Sequence, residues 1–110
     1  MKFFGDYIRK LREGQNLPLR KVAAYLDIDT SVLSKIERGE RQASKDNVLK
    51  IADFFSLNQQ ELLIEFFGES IAKLVYKEKN ANDILKVAEE KIEYFKTLNQ
   101  KQIKIDFNEK

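Results

Sequence analysis

Small hydroxyl side chains and basic side chains are concentrated between residues 30 and 45, where they follow one another at helical spacing. Hydroxyl and ammonium groups form hydrogen bonds with the edges of nucleic-acid bases, and a valine can contact the methyl group of thymine. One helix face would carry these groups, which are therefore candidate base-reading residues: Thr30, Ser31, Val32, Ser34 and Lys35.

A second set of basic residues is suited to contact phosphates, because arginine and lysine neutralise the charge of the nucleic-acid backbone. Two of these residues precede the polar segment and three lie at its end or in the following loop: Arg20, Lys21, Arg38, Arg41 and Lys45. Charged residues usually form a solvated surface, and that interpretation stays open for this set. The net charge of only +2 means that local placement, rather than a global field, would have to attract DNA.

Catalytic and metal-binding chemistry is poorly represented. The chain contains no cysteine and no histidine, which excludes disulfides, thiolate zinc sites, cysteine nucleophiles and histidine bases. Glu89, Glu90 and Glu93 suggest a metal cluster, but Lys86 and Lys96 lie at ion-pairing spacing and favour a solvated helix face. We therefore expect no catalytic residue, no metal, no cofactor and no enzymatic activity.

The length of 110 residues predicts one small domain with an appendage, and 43% hydrophobic residues suffice for one modest core. One proline and four glycines indicate a largely helical chain with short connections. The sequence has no run of 18 apolar residues and no apolar signal-peptide stretch near its start. We therefore expect no membrane contact and a cytoplasmic location.

Apolar residues recur every three or four positions in the first part of the chain, which predicts a series of helices. The first three are expected at residues 3–13, 19–26 and 30–38. Gly14 should end the first helix, and Gly39 should end the third in a left-handed conformation. The carboxylate of Asp29 should accept hydrogen bonds from free N–H groups at the start of the third helix.

Capping residues mark the starts of two more helices. Ser44 should cap the fourth, and Asn58 with Glu61 forms a capping box at the fifth. Their apolar faces comprise Val48, Leu49, Ile51, Ala52 and Phe55, and then Leu62, Leu63, Phe66 and Phe67. Gly68 either ends the fifth helix or is passed by it, since apolar residues continue at helical spacing through Ile71, Leu74 and Val75.

A polar linker at residues 77–83 precedes a last helix, which Asn82 or Asp83 should cap and which should reach about Gln100. Its apolar residues alternate at spacings of three and four, the pattern of a coiled-coil seam: Leu85, Ala88, Ile92 and Phe95. This stripe packs either on the core of its own chain or against a second copy, and we favour the second copy. Residues 101–110 are expected to form a flexible tail.

The segments 31–41 (SVLSKIERGER) and 48–58 (VLKIADFFSLN) resemble the lambda-repressor-like, or XRE-type, helix-turn-helix regulators. The resemblance covers about residues 4–67 and implies a five-helix domain whose third helix reads DNA. It also implies a largely buried structural ion pair between Arg12 and Glu37.

The sequence departs from that family pattern in three places. Pro18 and Leu19 replace the hydroxyl cap and glutamine that often open the second helix, so that helix must anchor DNA through backbone N–H groups or Arg20. Asp27 replaces the glycine of the turn and can adopt a left-handed conformation at some cost. The first base-reading positions are short, so readout should depend more on Lys35, Val32 and bound water.

The expected architecture is all-α, with a helix-turn-helix domain at residues 1–68, a helical extension at 69–100 and the tail at 101–110. The expected function is a homodimeric transcriptional regulator, most simply a repressor, on a pseudopalindromic site in double-stranded DNA. Three alternatives remain. The first is an antitoxin whose C-terminal region binds a protein partner. The second is a controller protein of a restriction–modification system, and the third is a helix-turn-helix remnant that mediates protein contacts.

Overall fold

The computed structural model describes residues 3–100, and helices joined by short turns make up nearly all of this range. Six helices follow one another in the order α1 (Phe4–Gly14), α2 (Leu19–Leu26), α3 (Thr30–Glu37), α4 (Lys45–Phe54), α5 (Gln59–Val75) and α6 (Ala81–Gln100). The described residues contain no strand. The all-α class and the helix-turn-helix arrangement of α2 and α3 are therefore confirmed.

The first four helices end in the same way, with one residue in the left-handed conformation just past each helix. These residues are Asn16, Asp27, Gly39 and Ser56, with φ angles of 56°, 59°, 75° and 55°. Each end is closed by a pair of backbone bonds to carbonyls of the last turn; after α3, the N–H of Glu40 donates to Lys35 at 2.8 Å. Gly39 and Asp27 behave as predicted. α1 ends at Gly14, as predicted, and Asn16 makes the left-handed turn that follows.

The helix starts agree with the sequence in two cases and differ in two. The Ser44 hydroxyl accepts from the Asn47 N–H at 3.0 Å, and Asn58 Oδ1 accepts from the Glu61 N–H at 2.9 Å. Within residues 3–100 the Glu61 carboxylate makes no bond back to Asn58, so only half of the predicted capping box is formed. Asp29 is at the N-cap of α3, but its carboxylate makes no capping bond there. Asn82 and Asp83 do not cap α6 either, because the helix already begins at Ala81. Asp83 instead lies in the first turn, where its charge interacts favourably with the helix dipole.

A single hydrophobic core joins α1 to α5. Its fully buried side chains come from the first four helices and include Ile8, Val22, Leu26, Leu33, Val48 and Ile51. The N-terminus of α1 packs tightly on the end of α3: a Cβ on Gly5 would lie 2.2 Å from the Ile36 carbonyl oxygen. A glycine at this position therefore lets α1 support the C-terminal end of α3 directly.

The chain divides into two compact units, one ending at Lys73 and the next beginning at Leu74. α5 runs through Gly68 without a break, so Gly68 does not end this helix. Leu62, Leu63 and Phe66 of α5 are buried as predicted, whereas Phe67 is 45% exposed and does not belong to the inner face. In the second unit, α6 has no buried residue. The predicted tail at 101–110 lies outside the described residues.

Candidate nucleic-acid interface

The third helix has a buried face and an open face. Leu33 and Ile36 are buried in the core and fix the helix against the rest of the domain. Thr30, Ser31 and Lys35 are exposed, with Ser31 and Lys35 on the side of α3 away from the core and Thr30 at its N-terminal end. Because 3.6 residues complete a turn, Ser31 and Lys35 lie above one another on that side. The helix therefore presents two hydroxyl groups and one ammonium group on a single surface.

Val32 lies at the border of this surface. It is half-buried and packs against the core. Its exposed part lines a wide, open depression together with Asp29 and Arg41. The loop after α3 therefore folds back and brings Arg41 beside the N-terminal half of the helix, whereas the sequence suggested a position beyond its end. Of the base-reading candidates, Val32 is the one that shares this depression with Arg41.

Ser34 and Arg38 are not independent groups. The Nη1 group of Arg38 donates to the Ser34 hydroxyl one turn earlier, and its Nε donates to Glu40 Oε2 at 2.9 Å. Nη2 donates to the other Glu40 oxygen at 3.2 Å. These hydrogen bonds from Arg38, followed by its charge and that of Lys35, lower the pKa of Glu40. Glu40 also raises the pKa of Arg38 through the same hydrogen bonds and charge.

The remaining phosphate-contact candidates are open to solvent. All are exposed, and within residues 3–100 none of them has an ion-pair or hydrogen-bond partner on its side chain: Arg20, Lys21, Arg41 and Lys45. Arg20 and Lys21 lie in the first turns of α2, whose N-cap residue Pro18 provides no side-chain bond. No side chain therefore caps the first N–H groups of α2, as expected from the departure of Pro18 and Leu19 from the family pattern.

The Arg12–Glu37 pair is formed at the C-terminal end of α3. Arg12 Nε and Nη2 donate to the two carboxylate oxygens of Glu37 at 2.8 and 2.9 Å. Nη1 donates to the Leu17 carbonyl at 2.8 Å, so the guanidinium also fixes the α1–α2 turn. The side chains are 11% and 3% exposed, and the hydrogen bond to Glu37 raises the pKa of Arg12. The pair ties the last residue of α3 to α1.

The predicted seam of α6 is largely open. Leu85 and Ile92 are 39% and 48% exposed, and Ala88 and Phe95 are half-buried. Glu93 pairs with Lys96 at 3.5 Å, as expected for a solvated face. Within the described range, no group of acidic residues could hold a metal ion, and no helix is long and apolar enough to span a membrane.

Two features of these surfaces were missed from the sequence. The first is Glu40, whose side chain meets Arg38 because the left-handed Gly39 between them reverses the chain. The sequence signal is an acid and a base on either side of a helix-ending glycine, and the direction of the chain after the glycine decides whether the two side chains meet. The second is the exposure of an apolar stripe on α5, whose helical spacing from Phe67 onward the sequence already showed: Ile64, Phe67, Ile71 and Leu74.

Comparisons with known proteins agree with this geometry. Residues 8–62 match the helix-turn-helix family. The chain is 30% identical over 79 residues to the HTH-type transcriptional activator BcrR of Enterococcus faecalis, covering 72% of this chain and 37% of that protein. It is 29% identical over 69 residues to the HTH-type transcriptional regulator DdrOP3 of Deinococcus deserti, covering 61% of this chain and 54% of that protein.

A third relative is nearer in size: the Control protein C.BamHI of Bacillus amyloliquefaciens is 34% identical over 61 residues, which are 54% of this chain and 75% of that protein. The chain thus spans only about a third to a half of the first two relatives. No solved structure matches it. The family match covers half of the chain and includes the motif at residues 31–41. The chain therefore belongs to the XRE-type helix-turn-helix family.

Proposed function

We propose that this protein is a DNA-binding transcriptional regulator that acts in the cytoplasm as a homodimer. The observation that carries the proposal is the open face of α3, where Thr30, Ser31 and Lys35 are exposed while Leu33 and Ile36 fix the helix from behind. A helix of this kind enters the major groove with its N-terminal side chains directed at base edges. We assign Thr30, Ser31, Val32, Ser34 and Lys35 to base reading.

The phosphate contacts are assigned to the exposed cations around α3. Arg41 supports this assignment best, because it lies beside the N-terminal half of α3 and carries no ion pair among the described residues. We assign the same role to Arg20, Lys21, Arg38 and Lys45. Each lost phosphate contact should reduce the slope of log K against log salt concentration by about 0.9, for every DNA sequence alike.

A homodimer is proposed because one helix-turn-helix unit reads only a few base pairs. Two units about 34 Å apart read two half-sites on one face of the duplex, and their symmetry matches a pseudopalindromic operator. Apart from Phe3 and Tyr25, every large hydrophobic side chain that is exposed within residues 3–100 lies between Ile64 and Tyr94. We place the main contact with the second copy on Leu85, Ala88, Ile92 and Phe95, with Phe67 and Ile71 of α5 as a second apolar surface.

The experiment that tests the function is selection of bound duplexes from a random pool, followed by sequencing. We expect a motif made of two inverted half-sites whose centres are separated by about one helical turn. Arg41→Ala should then weaken binding to selected and unselected duplexes equally and reduce the salt slope, whereas Lys79→Ala, which removes an exposed lysine from the turn before α6, should change neither. A pool that shows no enrichment would contradict the proposal.

Repression is the simplest outcome of such binding, because a protein bound to promoter DNA excludes the polymerase. One relative carries the name of a transcriptional activator, so the sign of regulation needs its own test. We expect a reporter gene placed behind the selected operator to lose expression when the protein is produced. An increase in expression would overturn the repressor assignment and leave DNA binding intact.

A second candidate function is that of a controller protein for a restriction–modification system. The match to a control protein favours it, because that match covers 75% of the relative's length. Under this function, the selected operator should occur upstream of adjacent methyltransferase and endonuclease genes. An operator found only near unrelated genes would favour the general regulator instead.

A further inference from the structure

The end of α3 places an acidic residue within the surface that we assign to DNA. Gly39 is left-handed, with φ 75°, and the turn it forms brings residues 38 and 40 to the same side of the chain. The Glu40 N–H donates to Lys35 and the Gly39 N–H donates to Ile36, which fixes the turn by two backbone bonds. The backbone position of Glu40 is therefore set by the helix end itself, which keeps its side chain within reach of Arg38.

The contact between Glu40 and Arg38 uses the part of the guanidinium that best recognises an oxyanion. Nε and Nη2 form one planar edge with two parallel N–H groups, and both donate to Glu40, at 2.9 and 3.2 Å. The same edge would hold a phosphate in a bidentate contact. Nη1 is engaged by the Ser34 hydroxyl. Arg38 cannot form a bidentate phosphate contact through its Nε–Nη2 edge while this arrangement persists.

We infer that Glu40 is a place-holding anion: in the free protein it occupies the position of a DNA phosphate on Arg38, and it leaves that position when DNA binds. The inference rests on the proposed function and adds a residue that weakens affinity for the DNA backbone. The exchange is feasible because both side chains are about half exposed, and exposed ion pairs are weak. Release of Arg38 also frees the Ser34 hydroxyl, so phosphate binding and base reading change together at this end of α3.

Under this inference, removing the charge of Glu40 should increase the affinity for DNA, whereas removing a basic residue that contacts phosphate should decrease it. Glu40→Gln keeps the shape of the side chain and removes its charge, so a phosphate no longer competes with a carboxylate for Arg38. Affinity for DNA should increase about two- to fivefold, the size expected when an exposed ion pair no longer has to be broken. The matched control is Glu78→Gln, which removes the same charge from an exposed position in the turn between α5 and α6.

The experiment measures binding of a fluorescein-labelled 24-base-pair duplex of mixed sequence by anisotropy, in KCl from about 50 to 200 mM. Five proteins are compared: wild type, Glu40→Gln, Glu78→Gln, Arg38→Ala and the Arg38→Ala/Glu40→Gln double variant. We expect Glu40→Gln to bind more tightly than wild type and than Glu78→Gln. The gain should vanish in the Arg38→Ala background, because Glu40 acts through Arg38.

Three outcomes overturn the inference in different ways. Equal affinities for Glu40→Gln and Glu78→Gln would mean that Glu40 holds no place on Arg38, and the proposed function would stand. An undiminished gain in the Arg38→Ala background would mean that Glu40 repels DNA directly. Failure of wild type to bind the duplex even at the lowest salt would overturn the proposed function together with the inference. The Nε–H resonance of Arg38 should also shift in free Glu40→Gln, which checks the ion pair without DNA.

Discussion

The unit that ends at Lys73 and the helix α6 use similar proportions of apolar residues in different ways. In the first unit, side chains from α1 to α5 bury one another in a single core, and the first four helices end in closed turns. α6 is longer than any other helix but contains no buried residue. The amphipathic pattern that builds a core in one region therefore leaves an open apolar stripe in the other.

This difference separates two uses of one sequence signal. Three-four spacing of apolar residues predicts a helix with an apolar face, but it does not identify what covers that face. A helix of 20 residues with an open apolar stripe gains little stability from its own chain, since most helical stability in proteins comes from tertiary packing. We therefore expect the first unit to resist changes in α6, and α6 to depend on a second copy.

The largest effect should come from the ion pair inside the first unit. Arg12→Met leaves the Glu37 carboxylate buried without its partner and should lower the free energy of unfolding by about 3–5 kcal/mol. Arg9→Met is the control on the same helix, because Arg9 pairs with Asp6 at 2.7 Å while 43% exposed. It should cost about 0–1 kcal/mol. Urea unfolding followed by circular dichroism measures both, and similar losses would show that burial of the Arg12 pair has no special weight.

The next effect concerns α6. Ile92→Asp with Phe95→Asp places two carboxylates on the proposed seam and should convert the dimer to a monomer. Binding to a two-half-site operator should weaken on the order of 100-fold, because the second half-site is no longer tethered. The urea midpoint of the first unit should stay unchanged. Lys86→Asp with Thr97→Asp is the control, since these residues lie on the opposite face of α6.

Light scattering at tens of micromolar decides this comparison. A monomeric wild type would contradict our proposal that a second copy covers the open stripe of α6. A double variant that is still dimeric would move the contact to the exposed stripe on α5, where Phe67 and Ile71 are nearly half exposed. A stripe that binds an unrelated protein in place of a second copy would favour the antitoxin alternative.

A smaller effect is expected at the open face of α3, which we propose reads DNA, where function and stability should separate. Lys35 is exposed and forms no part of the core, so Lys35→Ala should leave the unfolding free energy unchanged. It should relax the preference at about one base pair, at a cost of about 1–3 kcal/mol if the contact is to guanine. Selection of bound duplexes from a random pool, followed by sequencing, measures the base preferences of the wild type and of Lys35→Ala. Two profiles that differ by only a uniform factor would assign Lys35 to the backbone.

Much of the fold follows from local rules in the sequence. Helical spacing locates all six helices within a few residues, and Gly39, Ser44 and Asn58 mark helix ends for the expected physical reasons. Gly68 shows the limit of these rules, because a glycine permits a helix end without requiring one. α5 passes through Gly68 because apolar residues continue at helical spacing beyond the glycine.

The candidate site is less predictable than the fold. Exposure of Thr30, Ser31 and Lys35 follows from the helix period, but the partners of Arg38 do not. They depend on the direction that the chain takes after Gly39, which brings Glu40 back toward the helix end. Arg41 is a similar case, since the folded-back loop sets its place beside Val32. Loop direction is a tertiary property, and the residue types alone do not determine it.

The smallest expected effect tests the helix ends that distinguish the first unit. Among its four left-handed residues, Gly39 fits at no steric cost, and asparagine or aspartate tolerates the conformation. Ser56 fits worst, because a left-handed conformation costs an ordinary L-residue about 1–2 kcal/mol. Glycine removes this strain but is more flexible in the unfolded chain, which offsets about 0.5–1 kcal/mol.

Ser56→Gly should therefore raise the free energy of unfolding by about 0.5–1 kcal/mol, the difference between these two effects. Asn16→Gly is the matched control and should gain less, because asparagine is already suited to the turn. Ser56 is exposed and lies far along the chain from α3, so DNA affinity should not change. A loss of stability in Ser56→Gly would show that the Ser56 side chain contributes more than its strain costs, and that the turn after α4 is not held by backbone bonds alone.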